Sequence, residues 1–287
     1  MREQRFPGVS IVTTEDHASE LIWVLQDLGA SAVETRDETT MTSARTGSVM
    51  LIAGFADSNA RDRALNALQE KLPGSKITSV DVSDDGWSAG WRSFFEPVVL
   101  ATMQVITPWM DPPEPGLTTI VIDPGQAFGT GGHATTRMVL RMLESRAMEG
   151  RLPSEMADVG VGSGILSIAA VKLGVKRAMG IDIEEESMIA TRENAAANGV
   201  EGAVSVYLGT PRDITGEWPL VVANIDISTF RQHAGDIAAI VAPGGEVLLS
   251  GLLVDQLEEC VGLWPGFERG GVLEDDGWTA VSLRRAP

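Results

Sequence analysis

Residues 158–170 read Asp-Val-Gly-Val-Gly-Ser-Gly-Ile-Leu-Ser-Ile-Ala-Ala, and the glycines at 160, 162 and 164 stand between a strand-like run and a helix-like one. Glycine reaches left-handed backbone angles without steric cost, and the first turn of a helix carries unpaired N–H groups. A glycine-rich turn from strand to helix therefore lets the chain come close to a polar ligand. Dinucleotide enzymes place Gly-x-Gly-x-x-Gly at such a turn. Here the third glycine comes one residue early, Ile165 holds its place, and Asp158 precedes the first glycine. The compressed spacing suits a cofactor with no pyrophosphate. Asp182 closes the next apolar run 22 residues on from Gly160. A carboxylate there accepts hydrogen bonds from both hydroxyls of a ribose.

Outward from this turn, strand and helix signals alternate. Helical spacing over 134–148, 164–174, 185–198, 228–240 and 254–262 is interleaved with extended runs at 156–160, 177–181, 203–207, 219–224 and 246–250. That alternation predicts a doubly wound, mostly parallel sheet. The tail differs: apolar runs at 267–273 and 278–283 flank Asp275-Asp276-Gly277, a hairpin signal that predicts an antiparallel finish to a seven-stranded sheet. Toward the N-terminus the order is strand 8–14, helix 16–29, strand 31–35, strand 48–55, helix 58–72, strand 76–82. This βαββαβ order predicts a small α+β, ferredoxin-like domain over 1–83. Residues 84–117 read as a linker region, with strand candidates at 103–107 and 118–122 leading into the second domain: Trp87 and Trp91 stand four apart, and Pro108, Pro112, Pro113 and Pro115 exclude a helix interior. The catalytic domain is expected over 118–287.

Composition narrows the function. The 287-residue chain is 44% hydrophobic and has no leader-like or membrane-spanning apolar run, so it is expected in the cytoplasm without a membrane partner. One cysteine and three scattered histidines predict no metal site. A net charge of −18 argues against nucleic-acid binding, which needs clustered Lys and Arg; it permits a basic partner, and it also reads simply as a means of staying soluble.

Two further segments carry chemistry. Asp123-Pro-Gly125-Gln-Ala-Phe128-Gly129-Thr130-Gly131-Gly132-His133-Ala-Thr135-Thr136 combines tight-turn glycines with hydroxyls that open a helix. Val221-Val-Ala-Asn224-Ile-Asp226 places Asn224 at the C-terminal end of a strand, where ligands of open α/β sheets bind. Together with the glycine turn, these segments resemble the PrmA family of class I methyltransferases, whose Asp-Pro-Gly-x-Ala-Phe-Gly-Thr-Gly-x-His-x-Thr-Thr signature is distinctive. The resemblance runs from the βαββαβ start to the tail at 274–285. It implies a Rossmann-like methyltransferase that uses S-adenosylmethionine to methylate lysine side chains and the N-terminal amine of a basic protein of the large ribosomal subunit. It implies cofactor contacts at Thr136, Gly160, Asp182 and Asn224 and an N-terminal substrate-recognition domain; Phe128, Gly129, Thr130, Asp158, Gly162 and Gly164 of the two glycine segments are further cofactor-binding candidates.

Asn224 and Asp226 are the candidate catalytic residues. The family carries a nonpolar residue at the position of Asp226 and a proline at that of Ala134. Asp226 has two readings, a carboxylate beside the transferring methyl group or an N-cap of the helix at 228–240. His133 likewise reads as a base or as a structural hydrogen-bonder, and Trp87 and Trp91 as a substrate surface or as packing. A nicotinamide-dependent oxidoreductase is the rival on the same sheet, disfavoured by the glycine spacing. A methyltransferase acting on another protein or a small amine shares every cofactor residue.

Overall fold

In the computed structural model the described residues are 5–14, 17–18, 21–22, 24–25, 28–30, 32–36, 48–55, 57–72, 75–83, 96–123 and 132–287. Trp87, Trp91, Gly125, Phe128, Gly129, Thr130 and Gly131 lie outside them. The chain divides into two compact units, Met1–Phe95 and Glu96–Pro287.

In the first unit, β1 (Arg5–Thr14), β2 (Ala32–Arg36), β3 (Ser48–Gly54) and β4 (Ile77–Ser83) form an antiparallel sheet in the order β2-β3-β1-β4. Period-2 alternation puts Val9 and Ile11 of β1 on one buried face. Against that face lie Leu21 and Leu25 and, from α1 (Ser58–Lys71), Ala60, Ala64 and Leu68, spaced by four as a helix stripe requires. Asp57 caps α1, accepting from the N–H groups of Asn59 and Ala60 at 2.8 and 2.9 Å. The four strands and α1 match the βαββαβ reading of the sequence; the first helix of that reading, 16–29, lies in part outside the described residues.

The second unit opens with β5 (Val98–Val99), β6 (Met103–Ile106) and β7 (Thr118–Val121), a three-stranded sheet. β6 and β7 stand at the strand candidates 103–107 and 118–122, and β5 adds a short strand that the sequence does not signal. Helix α2 (Ala134–Met148) follows, and its buried Glu144 accepts from the backbone N–H groups of Ala101 and Thr102, fastening the β5–β6 turn.

The large sheet comprises β8 (Glu155–Val159), β9 (Arg177–Asp182), β10 (Val204–Leu208), β11 (Trp218–Asn224), β12 (Val241–Leu253), β13 (Phe267–Asp275) and β14 (Trp278–Arg285), in the order β10-β9-β8-β11-β12-β14-β13. β8 to β12 pair in parallel, while β14 is antiparallel to both neighbours. The β13–β14 turn places Asp276 and Gly277 at φ 51° and 78°, the doubly left-handed pair that two-residue hairpins favour.

Helices cover both faces, as a parallel sheet requires. Met156, Ala178, Leu220, Val222 and Leu248 point into a core with α2, α3 (Ile165–Lys172) and Ala195 of α4 (Glu185–Ala197). Ala157, Met179, Val221, Val247 and Leu249 point the other way, against Phe230, Ala234 and Ile237 of α5 (Ile227–Ile240) and Leu257 and Cys260 of α6 (Leu257–Gly262). Among the described residues no helix is long and apolar enough to cross a membrane.

Candidate functional site

The chain runs outward from β8 through β9 to β10, then returns to lay β11 on the other flank of β8. The loops leaving β8 and β11 therefore diverge, and the crevice at those C-terminal ends is where open α/β sheets take ligands. Asp158, the glycine turn, Asp182 and Asn224 all lie at this edge.

Gly160, Gly162 and Gly164 adopt φ of 73°, 53° and 81°, left-handed values that disfavour any side chain. A Cβ at Gly160 would stand 2.6 Å from Ile225 Cγ2, and one at Gly164 would stand 2.8 Å from Thr191 Cγ2. At these two positions glycine is demanded by backbone angle and by packing against neighbouring turns. Ligand approach, the reason the sequence suggests for these glycines, is not needed to account for them. The N–H of Gly162 donates to Asp182 Oδ2 at 3.0 Å, and that of Glu184 donates to Oδ1 at 3.2 Å. Asp182 thus fastens the glycine turn to the end of β9. Each carboxylate oxygen has about two acceptor positions, so both retain capacity for a ligand. Ile183, 73% exposed, and Leu208, 52% exposed and paired with Asp182 in register, give this end of the crevice an apolar surface.

Strand parity puts Asp158 on the same face as Met156, and Asn224 on the same face as Val222; Asp158 and Val222 are register partners. Asp158 is fully buried. Its Oδ2 accepts from the Ser167 hydroxyl at 2.7 Å, while its Oδ1 has no partner. Burial pushes the carboxyl up to about 7, against the opposing hydrogen bonds of Ser167 and with a smaller contribution from the negative charge of Asp182. The Asn224 amide donates from Nδ2 to Thr136 Oγ1 at 3.3 Å, and its buried Oδ1 is likewise without a partner. A buried polar atom left unpaired costs about 1–3 kcal/mol, and such atoms call for an explanation. The unpaired oxygen of Asp158, beside a carboxylate with spare capacity, fits a cofactor that carries an ammonium and ribose hydroxyls, and the unpaired oxygen of Asn224 on the same face fits an amine brought up to it.

His133 and Asp226 are held as helix caps. Thr135 N–H donates to His133 Nδ1 at 3.4 Å, the Thr135 hydroxyl lies 2.8 Å from the same atom, and the ring stands edge-on to Trp278 at 4.8 Å. Burial, then the Arg137 charge, lowers the imidazole to about 4, so it is neutral at neutral pH and a weak base. Asp226 Oδ1 accepts from the N–H groups of Ser228 and Thr229 at 2.8 and 3.1 Å, and Oδ2 accepts from the Thr229 hydroxyl at 2.6 Å. Of its two readings, this geometry is the cap of α5.

The sequence reading passed over a ridge on α4. Thr191 donates from its hydroxyl to Gly162 O at 2.9 Å, and Asn194 Nδ2 donates to Ser163 O at 2.9 Å. Asn194 Oδ1 accepts from Asp123 N–H at 2.9 Å, and Asn198 exchanges two hydrogen bonds with the backbone of Val121. The ridge joins the glycine turn to the end of β7, where the signature segment begins. Its far end is tied by Arg137, which donates to Gly132 O and pairs with Asp275 at 3.0 Å. The available signal was a pair of asparagines four apart in an alanine-rich helix, where asparagine is unfavourable unless its amide is used.

The family described as Ribosomal protein L11 methyltransferase (PrmA) matches residues 5–286. A Ribosomal protein L11 methyltransferase of Sorangium cellulosum is 38% identical over 310 residues, covering 99% of this chain and 97% of that protein. One of Idiomarina loihiensis is 36% identical over 290 residues, covering 96% and 98%. The crystal structure of ribosomal protein L11 methylase from Lactobacillus delbrueckii subsp. bulgaricus superposes with a TM-score of 0.61 at 31% identity, covering 67% of this chain and all of that one.

Proposed function

Because the chain belongs to the ribosomal protein L11 methyltransferase family, we infer that it transfers methyl groups from S-adenosylmethionine to lysine amines and the N-terminal amine of that ribosomal protein. The observation that carries the reading is the meeting of Asp158, the glycine turn, Asp182 and Asn224 where strand order reverses, with one buried oxygen each on Asp158 and Asn224 left for a ligand. When bound, the cofactor supplies an electrophilic methyl group on a sulfonium, which an amine takes by direct displacement.

The protein's task is then alignment and exclusion of water. Asp182 would accept from the ribose hydroxyls, and Ile183 and Leu208 would offer a purine the apolar surface beside it. Thr136 holds Asn224 by its Nδ2, which leaves the side-chain carbonyl to accept from the incoming amine and fix its lone pair toward the methyl carbon. That carbonyl takes no proton. A lysine amine of ordinary pKa ~10.4 is about three units from its neutral form near pH 7, roughly 4 kcal/mol, and an apolar approach to the site offsets part of it by disfavouring the charged form. The net charge of −18 steers a basic ribosomal protein toward the enzyme, with residues 1–83 as the recognition module and the cytoplasm as the place of reaction.

Incubating the enzyme with methyl-labelled S-adenosylmethionine and total ribosomal proteins tests the reading. Label should concentrate in L11; label confined to another protein, or to small amines, would overturn the substrate assignment.

A further inference from the structure

We propose that Asp158 is a proton-linked acceptor for the cofactor: a carboxylic acid in the free enzyme, it becomes a carboxylate as the α-ammonium of the cofactor's amino-acid end is seated beside it, and its proton leaves to solvent. The proposal rests on the reading of this crevice as the S-adenosylmethionine site.

Its ground is the one-sided satisfaction of a buried group. Ser167 engages Oδ2 at 2.7 Å, while Oδ1, equally buried, has nothing. An unpaired carboxylate in such a place is costly, and the usual relief is to hold a proton. The neighbours offer no other relief. On β9 the register partner is Gly180, and two residues on stands Asp182, whose charge opposes ionisation. On β11 the partner is Val222, followed by uncharged Asn224. From α3 comes Ser167, and the ridge of α4 against the turn offers Thr191 and Asn194, all uncharged. At the N-terminal end of α2 the titratable groups are His133, neutral at pH 7, and Arg137, committed to Asp275. No cation among the described residues pairs with Asp158, so a ligand ammonium is the group that makes its ionised form stable. The reaction balances as carboxylic acid plus free ammonium giving an ammonium–carboxylate pair and one proton in bulk water.

The carboxyl stands at about 7 in the free protein. Binding should therefore release a fraction of a proton that grows as pH falls from 8 to 6, and affinity should weaken on further acidification, toward about tenfold per unit. Titration calorimetry of the full chain with S-adenosylhomocysteine, in phosphate and Tris buffers between pH 6 and 8, reads this directly. The binding enthalpy should vary with the ionisation enthalpy of the buffer by that fraction, and Asp158→Asn should bind with that dependence lost. Ser167→Ala removes a hydrogen bond that favours the carboxylate, so it should keep the dependence and move it to higher pH. Infrared difference spectra of the parent should show a protonated-carboxyl stretch that disappears when S-adenosylhomocysteine is added. A buffer-independent enthalpy in the parent, an unchanged dependence in Asp158→Asn, or a carboxyl stretch that persists on binding would each overturn the proposal. Absence of S-adenosylhomocysteine binding by the parent would instead overturn the cofactor reading beneath it.

Discussion

Replacing Asp182 by alanine should separate the two tasks the structure gives that carboxylate. It accepts from Gly162 N–H at 3.0 Å and Glu184 N–H at 3.2 Å, and in the proposed function it also accepts from the ribose hydroxyls. Hydrogen bonds to a charged group are worth about 1.5–3 kcal/mol, so loss of the ribose contacts should raise the dissociation constant for S-adenosylhomocysteine roughly 10- to 150-fold. The internal bonds lie near solvent, and water replaces part of what is lost there. The expected cost to the fold is about 1–2 kcal/mol, or roughly 2–8 °C in melting temperature for a domain of this size. Asp182→Asn retains one acceptor and should fall between parent and alanine variant in both measurements. Titration calorimetry and thermal denaturation on the same preparations distinguish the tasks. A lowered melting temperature with an unchanged dissociation constant would leave Asp182 as a fastener of the turn and remove it from the cofactor site.

Other expectations follow from the caps and the α4 ridge. Asp226→Leu removes all three capping hydrogen bonds of α5 and should cost about 1 kcal/mol, with kcat changed less than about tenfold; a larger kinetic loss at unchanged stability would restore Asp226 to the chemistry. Asn194→Leu removes the hydrogen bonds that its amide makes with Ser163 O and Asp123 N–H. It should destabilise the protein by roughly 2–4 kcal/mol and weaken S-adenosylhomocysteine about fivefold or more, and an intact affinity would mean the ridge does not set the turn. His133 has a folded pKa of about 4, below its unfolded value, so its contribution to stability is present above pH 6.5 and is lost as pH falls toward 4. Asp158, raised to about 7, acts in the opposite sense: its contribution is present at low pH and lost as pH rises through 7. The two nearly cancel between pH 6.5 and 4, so His133→Gln should gain stability relative to the parent by roughly 1 kcal/mol per unit as pH is lowered from 6.5 to 5. Denaturant titrations across that range check the slope, and parallel curves would refute it.

What the sequence disclosed and what it withheld divide along local and long-range lines. The strand–helix alternation, the left-handed glycines and the Asp276-Gly277 hairpin are written in nearest-neighbour chemistry, and each stands where the pattern put it. The extended run at 246–250 is only the centre of β12. The strand spans Val241–Leu253, since Trp218 of β11 pairs with Val241 across an irregularity that absorbs Gly244 and Gly245. β5 is two residues long, too short for any periodicity to declare itself. The partners of Asn194 and Asn198 lie 31 to 77 residues away. Their function as a clamp therefore exists only once β7 and the glycine turn are side by side. The unpaired oxygen of Asp158 is of the same kind, because an aspartate before a glycine turn does not disclose which of its oxygens the fold will satisfy.

The central claim is that the crevice bounded by Asp158, Asp182 and Asn224 carries methyl transfer to a ribosomal protein. Tandem mass spectrometry of purified L11, incubated with S-adenosylmethionine and either the parent enzyme or Asn224→Ala, tests it most directly. The account predicts methyl groups on lysine side chains and the N-terminal amine of L11 with the parent, and a loss of at least about tenfold in rate with Asn224→Ala while S-adenosylhomocysteine still binds. Unmodified L11 after incubation with a parent enzyme that binds S-adenosylhomocysteine, or equal methylation by the variant, would contradict it.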